Sequence, residues 1–264
     1  MRKIAIIPAR MGSTRFPGKP LATIYGIPMV GHVYFRTKQC KFIDEVYIAT
    51  CDEEIKLYAE SIGAPCVMTS DQHERCTDRT AEAMLKIEEQ SNKKVDIVVM
   101  VQGDEPMVTP NMIDQAVAPL ISTSSINISS LMGNIKSVHD FEDPNAVKVV
   151  VDINSNALYF SREPIPSRKK GHTQVPMYKQ VAIIPFRRDY LLHFNSLKPT
   201  QLEEIESVDM LRVLEHGDRI KMVLTDEENV SVDTPEDLSR VIKLMAFDTM
   251  MESYVKNDLS ITCA

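Results

Sequence analysis

Short apolar runs alternate with amphipathic segments through the first half of this chain, and that alternation restricts the fold more than any other feature. Residues 4–8, 45–50, 66–68 and 97–102 read as buried strands, the last of them the most apolar in the chain. Between them, residues 28–38 carry Met29, Val30, Val33 and Tyr34 at helical spacing. Residues 52–62 follow Asp52 at an N-cap position and stop at Gly63. Residues 77–89 place Ala81, Met84 and Leu85 on one side, with Ile87 at the edge of that stripe. Repeated strand–helix–strand units predict an α/β fold, a mostly parallel sheet with helices on both faces.

The second half reads differently. Residues 109–120 are helical, and 126–132 form a strand. The β-rich runs 147–153 and 157–162 flank Asn154-Ser155-Asn156, a hairpin signal. Residues 163–174 are polar and basic, with Pro164 and Pro166, and predict a mobile loop. A strand at 180–186, helices at 188–197 and 202–215, and a strand at 220–224 follow. Thr234-Pro235-Glu236-Asp237 opens another helix, since proline suits the first turn and carboxylates suit the N-terminal dipole. The tail beyond about Thr249 has no evident partner and reads as an oligomer contact or a disordered end.

A chain of 264 residues, 44% hydrophobic and 25% charged, can bury a full core. Its net charge of −7 argues against general nucleic-acid binding, which needs a basic face. No apolar run approaches the length of a membrane span, and the N-terminal run is too short for a signal peptide, so a cytoplasmic protein is expected. Cys40, Cys51, Cys66, Cys76 and Cys263 form no C-x-x-C pair, and no two histidines form H-x-x-x-H. A disulfide framework or zinc site is therefore not expected, and Cys51 and Cys66 read as small core residues.

The stretch from Ile6 to Pro20 carries the strongest chemical signal. An apolar strand stops and a loop follows with Arg10, Arg15 and Lys19, the hydroxyls Ser13 and Thr14, and Gly12 and Gly18. Glycine permits close backbone approach, N–H groups face anionic oxygens, and the cations supply charge, so a polyphosphate fits. A basic surface turn is the plainer alternative. Gly18-Lys19 is followed by Pro20, so this is not a Walker A loop.

Gln102-Gly103-Asp104-Glu105-Pro106 follows the most apolar strand, and ligands in open α/β sheets bind at such carboxyl ends. An Asp there also serves turns and caps. Asp233 could simply cap the helix that Pro235 opens. Two carboxylates facing a phosphate loop would instead suit Mg²⁺, which takes few protein ligands beside water and phosphate oxygens. His73-Glu74-Arg75-Cys76-Thr77-Asp78-Arg79 leads into a helix with Thr77 as the expected N-cap; it is a base or phosphate site, or a capped surface start. The acidic face around Glu203, Glu204 and Glu206 is solvated, or reaches a polyhydroxylated substrate.

Together these motifs resemble the 3-deoxy-manno-octulosonate (Kdo) cytidylyltransferases, within the sugar-acid cytidylyltransferases. The match runs in order from residue 3 to about 245. It takes in Pro8-Ala9-Arg10 through Ser13-Thr14-Arg15, Pro17-Gly18-Lys19-Pro20, Gln102 to Pro106, Asn145-Ala146-Val147-Lys148, Ala157-Leu158-Tyr159-Phe160-Ser161-Arg162, Leu211-Arg212 and Val232 to Asp237. The resemblance implies a Rossmann-like nucleotidyltransferase domain over residues 1–249. A β-hairpin and dimerisation insertion would lie at roughly 133–175, followed by a tail at 250–264 and a homodimer built on the hairpin. It implies transfer of CMP from CTP to a sugar acid with release of pyrophosphate, in lipopolysaccharide biosynthesis.

By the same resemblance Asp104 and Asp233 hold Mg²⁺, one ion bridging the attacking hydroxyl and the α-phosphate and a second on the triphosphate. Arg10 and Lys19 join them as catalytic residues. Pro8, Ala9, Arg10, Ser13, Arg15, Lys19, Arg75, Thr77, Arg79 and Gln102 bind the nucleotide. Gln102, Arg162, Gln180 and Glu206 bind the acceptor. In-line transfer needs mainly positioning and charge neutralisation, and metal contact lowers the pKa of the attacking hydroxyl.

Two positions depart from the family pattern. Arg75-Cys76 stands where Ser-Gly is usual, which changes how closely backbone approaches the base. Gln180-Val181-Ala182 stands where His-Leu-Gly is usual, and an amide cannot become a cation near neutral pH. Kdo remains the leading acceptor. The alternatives are another 3-deoxy sugar acid, an amino-sugar analogue or a phosphonate, and, from a different class, a non-catalytic nucleotide-binding protein.

Overall fold

β1 (Lys3–Pro8) buries Ile4, Ala5, Ile6 and Ile7 completely. The computed structural model describes residues 1–13, 15–171 and 175–258. Thr14 of the first loop, residues 172–174 of the polar loop and the end of the tail, Cys263 included, lie outside the described residues. After β1 come a single 3-10 turn (Lys19–Leu21), the small hairpin β2 (Thr23–Ile24) and β3 (Ile27–Pro28), and α1 (Met29–Thr37). β4 (Glu45–Thr50), α2 (Glu53–Ser61), β5 (Cys66–Met68), α3 (Cys76–Ser91), β6 (Ile97–Val101) and α4 (Pro110–Ser122) complete the first stretch. β7 (Ser129–Asn134), α5 (Val138–Glu142), β8 (Lys148–Val151), β9 (Ala157–Ser161), β10 (Tyr178–Val181), β11 (Ile183–Arg187), α6 (Arg188–Ser196), α7 (Gln201–Glu206), α8 (Met210–Glu215) and β12 (Lys221–Thr225) follow. α9 (Pro235–Met245) and α10 (Thr249–Asp258) close the chain.

The chain divides into two compact units. The first holds Met1–Asp114 and the chain from Asn229 onward. In it β1 runs parallel to β4 on one side and β6 on the other, and β4 runs parallel to β5. Flanked on both edges, β1 is apolar throughout its middle, as a doubly covered parallel strand must be. Ile24, Met29, Val230, Val232, Val241 and Met245 form one buried cluster, which fixes the 230–233 segment against the β2–α1 region.

The C-terminal helix, for which the sequence offered no partner, packs on α1. The Tyr254 ring stacks on Phe35 with centroids 5.4 Å apart and meets His32 edge-on. Asp248 pairs with the buried Arg36 guanidinium. Among the described residues no helix is long and apolar enough to cross a membrane.

The second unit, Gln115–Glu228, carries a mixed sheet in the order β12-β7-β10-β8-β9. β12 is parallel to β7, and the remaining neighbours are antiparallel. The hairpin tip returns to β12, because Ala157 N–H donates to Ile220 O and Met222 N–H to Ser155 O.

Several expectations need correction. The helix expected at 202–215 is two helices, broken where Ser207 takes a left-handed φ of 52°. The strand expected at 180–186 divides at Ala182 into β10 and β11. On α3 the buried stripe runs through Thr77, Thr80, Ala81, Met84 and Ile87, while Leu85 is exposed. Cys51 and Cys66 are half-buried rather than core, and among the described residues the buried free cysteine is Cys40.

Candidate active site

The loop after β1 folds back on itself. Met11 O accepts from Ser13 N–H at 2.8 Å and from Gly18 N–H at 3.1 Å. Gly18 has a φ of 74°, which a side chain would oppose. The loop is moored to the start of α2, because Asp52 Oδ2 accepts from Met11 N–H at 2.8 Å. Asp52 does occupy the N-cap position expected of it, but its side chain serves the loop and makes no cap bond to the helix. Ser13 Oγ accepts from Phe16 N–H and steadies the turn.

Two carboxylates reach this loop from distant segments. β6 ends at Val101, and Gly103 then lets the chain pass against the end of β1. A Cβ there would lie 2.9 Å from Pro8 O. Val232 N–H donates to Asp104 O at 2.9 Å, which sets residue 233 beside residue 104. Asp233 does not cap α9. Thr234 is the N-cap, and the Asp237 carboxylate accepts from the N–H groups of Asp233 and Thr234. The Asp233 side chain is thereby left to the loop cations.

Lys19 Nζ donates to Asp104 Oδ2 at 2.7 Å and lies 3.4 Å from Asp233 Oδ1, and Arg15 Nη2 reaches the same Asp233 oxygen at 2.8 Å. Burial works against the Lys19 ammonium, yet the charge and hydrogen bond of Asp104, then of Asp233, hold its pKa above the usual lysine value. Two hard carboxylate oxygens thus converge on one cation. That donor set fits Mg²⁺, which accepts one or two protein carboxylates and completes its shell with water and phosphate.

Arg10 is exposed and donates from Nη1 to His73 O at 3.4 Å. His73 belongs to a loop held by Glu82, whose carboxylate receives Ser70 N–H, the His73 ring and Lys86 Nζ. At the start of α3 the N-cap is Arg75, not Thr77; Thr77 is buried in the first turn. Arg79 is buried as well, donating to Thr69 Oγ1 and to Cys51 Sγ. Its place is behind the helix start, among the groups that hold the site. Gln102 is half-buried, and its carbonyl accepts from Glu105 N–H.

The expected acceptor residues Arg162, Gln180 and Glu206 belong to the second unit. Glu206 Oε1 accepts from the Ser161 hydroxyl at 2.8 Å and the Tyr159 hydroxyl at 3.3 Å, and its Oε2 accepts from Arg162 N–H at 2.7 Å. The Arg162 guanidinium donates to Glu206 O, Pro144 O and Ser207 O. Gln180 Nε2 donates to Ser130 Oγ at 3.3 Å, apart from that pair. Reading the sequence missed Asp52, Glu82, Tyr159 and Ser161 as supports of these groups. The last two stood within a quoted motif, while Asp52 and Glu82 look like ordinary helix carboxylates.

A family profile described as cytidylyltransferase matches residues 4–220. The 3-deoxy-manno-octulosonate cytidylyltransferase of Geobacter metallireducens is 46% identical over 256 residues, covering 93% of this chain and 98% of that protein. The chain belongs to the 3-deoxy-manno-octulosonate cytidylyltransferase family. Its relative of the same name from Geotalea uraniireducens is 47% identical over 92% of this chain and 98% of that protein. Among solved structures, CMP:2-keto-3-deoxy-manno-octonic acid synthetase complexed with CTP matches with a TM-score of 0.85 at 36% identity, over 93% of this chain and 99% of that one. The Kdo cytidylyltransferase fold, Rossmann-like α/β, is therefore the fold of this chain.

Proposed function

We propose that this chain transfers CMP from CTP to 3-deoxy-manno-octulosonate and releases pyrophosphate. The observation that carries the reading is the convergence of Asp104, Asp233 and Lys19 at the mouth of a cation-bearing loop, in a chain of this family. The acceptor hydroxyl forms a bond to the α-phosphorus of CTP, and the bond from that phosphorus to the β-bridging oxygen breaks. Arg10, Arg15 and Lys19 hold the phosphates and neutralise the charge gathering on the leaving group.

Pro8, Ala9, Ser13 and Gln102 shape the floor for the nucleotide, and Arg75 and Thr77 present the start of α3 to it. Arg79 supports that helix from behind. Asp104 and Asp233 would hold Mg²⁺, which would supply Lewis acidity and lower the pKa of the attacking hydroxyl. Arg162, Gln180, Glu206 and Gln102 orient the acceptor.

One observation favours a second reading. Gln180 is a neutral amide already engaged with Ser130, which suits a related 3-deoxy sugar acid or phosphonate as acceptor. The reading also carries a cytoplasmic location, where CTP is available, and a homodimer through the region of residues 145–162.

The test is pyrophosphate release from CTP and Mg²⁺ with Kdo and with a panel of other sugar acids. Turnover of Kdo that falls by roughly a hundredfold or more in Asp104→Asn and Asp233→Asn is expected, as for loss of a metal-binding carboxylate. Unchanged turnover in Asp104→Asn defeats the metal assignment. Preference for another acid selects the second reading, and CTP binding without any turnover selects a nucleotide-binding role. Light scattering at monomer mass defeats the dimer.

A further inference from the structure

Lys148 is fully buried at the start of β8, an unusual place for an ammonium. Its two hydrogen bonds both go to main-chain carbonyls, Asp143 O at 2.8 Å and Arg162 O. Among the described residues neither partner is a carboxylate. Burial lowers its pKa below the usual lysine value, with the charges of Asp143, Glu163 and Glu206 opposing that and Arg162 adding to it. A buried cation of this kind is expensive, and an apolar side chain of the same length would fill the space without the desolvation cost.

What the ammonium does is join segments. Arg162 O ties it to the end of β9, and Arg162 N–H in turn holds the Glu206 carboxylate. Asp143 O ties it to the turn whose next carbonyl, Pro144 O, receives the Arg162 guanidinium. The residue before it, Val147, accepts Gln180 N–H at 2.8 Å through its carbonyl. Arg162, Gln180 and Glu206 therefore all hang from the Val147–Lys148 step. The Arg162 guanidinium spends its donors on the main-chain carbonyls of Glu206, Pro144 and Ser207, so it too braces the same segments.

We infer that Lys148 is a positioning residue for the sugar-acid acceptor, acting through Arg162 and the Asp143–Pro144 turn. The inference rests on the acceptor reading given above. It requires Lys148 to govern acceptor binding while leaving nucleotide binding alone, because Asp104, Asp233 and the loop cations belong to the other unit.

The experiment is steady-state kinetics of Lys148→Met and Lys148→Gln, with Kdo and CTP varied separately and urea stability measured alongside. Wild-type turnover of Kdo is recorded first, and its absence would defeat the functional reading whatever Lys148 does. Given that turnover, Lys148→Met is expected to raise KM for Kdo roughly tenfold, the scale of a small misplacement of binding groups, with KM for CTP unchanged. Lys148→Gln keeps a donor for one carbonyl and should fall between. Loss of stability with both KM values unchanged, a parallel rise in both, or failure of both variants to fold would each assign Lys148 to the core and overturn the inference.

Discussion

Lys19 Nζ stands 2.7 Å from Asp104 Oδ2, so a cation of the first loop neutralises a carboxylate that lies 85 residues further along the chain. The ammonium and a divalent ion would compete for the same oxygens. In Lys19→Met Asp104 loses its counter-ion, and Asp233 keeps Arg15. Binding of Mn²⁺ alone, followed by electron paramagnetic resonance, is expected to tighten on the order of tenfold, about 1.4 kcal/mol. CTP binding should weaken in the same variant. Equal Mn²⁺ affinity in the two proteins would show that Lys19 does not contest the site.

Gly103 offers a purely steric test. Alanine there would bring a Cβ within 2.9 Å of the Pro8 carbonyl, a backbone atom with little room to yield. A loss of roughly 1–3 kcal/mol in urea stability is expected from such overpacking. CTP turnover should fall with it, because the displaced turn carries Asp104. A variant as stable and as active as the parent would mean that the two loops separate freely.

His32 should make stability depend on pH. Its Nε2 faces Ile24 O, which can only accept, so Nε2 bears the hydrogen and Nδ1 accepts from the Tyr254 hydroxyl. Burial pushes its pKa down to about 4. Between that value and the unfolded value near ~6.5 the unfolded chain binds the extra proton. Stability is then full above about pH 6.5 and falls as pH drops toward 4, by on the order of 3 kcal/mol. His32→Gln can reproduce both hydrogen bonds without titrating, and denaturation curves at several pH values should lose this slope. An unchanged slope would place its origin elsewhere.

Glu82 should act at lower pH. Burial disfavours its charge, but the hydrogen bonds from Lys86, Ser70 N–H and His73, with the Lys86 charge, bring its pKa down to about 2. Its stabilisation is present above the unfolded value near ~4.3 and is lost as pH falls toward 2. Glu82→Gln is expected to cost about 1–2 kcal/mol at neutral pH. It should also raise KM for CTP, since the loop it holds carries the carbonyl that receives Arg10. Calorimetric CTP titration that shows no change would separate this loop from the nucleotide.

Periodicity revealed the sheet of the first unit well, because its strands are short apolar runs between amphipathic helices; β4 and β5 begin and end where the pattern said. It failed at Ser207, where one non-glycine residue turns left-handed and nothing in a continuous amphipathic stretch announces it. It failed at Ala182 because β10 and β11 lie in different pairings although their residues read as one apolar run. The meeting of Asp104 with Asp233 depends on one main-chain bond from Val232, a relation that no local spacing can express. Lys148 was legible only as the last residue of a quoted motif, not by its surroundings. Nothing in a lysine that opens a strand announces that the structure buries it completely.

At one end of the second sheet, the tip of the β8–β9 hairpin spends main-chain donors and acceptors on the start of β12. A foreign strand meeting that rim finds these main-chain groups already engaged. Ile153 at the hairpin tip and Leu158 on β9 remain outward and apolar. At the tip itself a second copy would be met by the fit of such side chains more than by backbone pairing, which ties association there to a few substitutable residues.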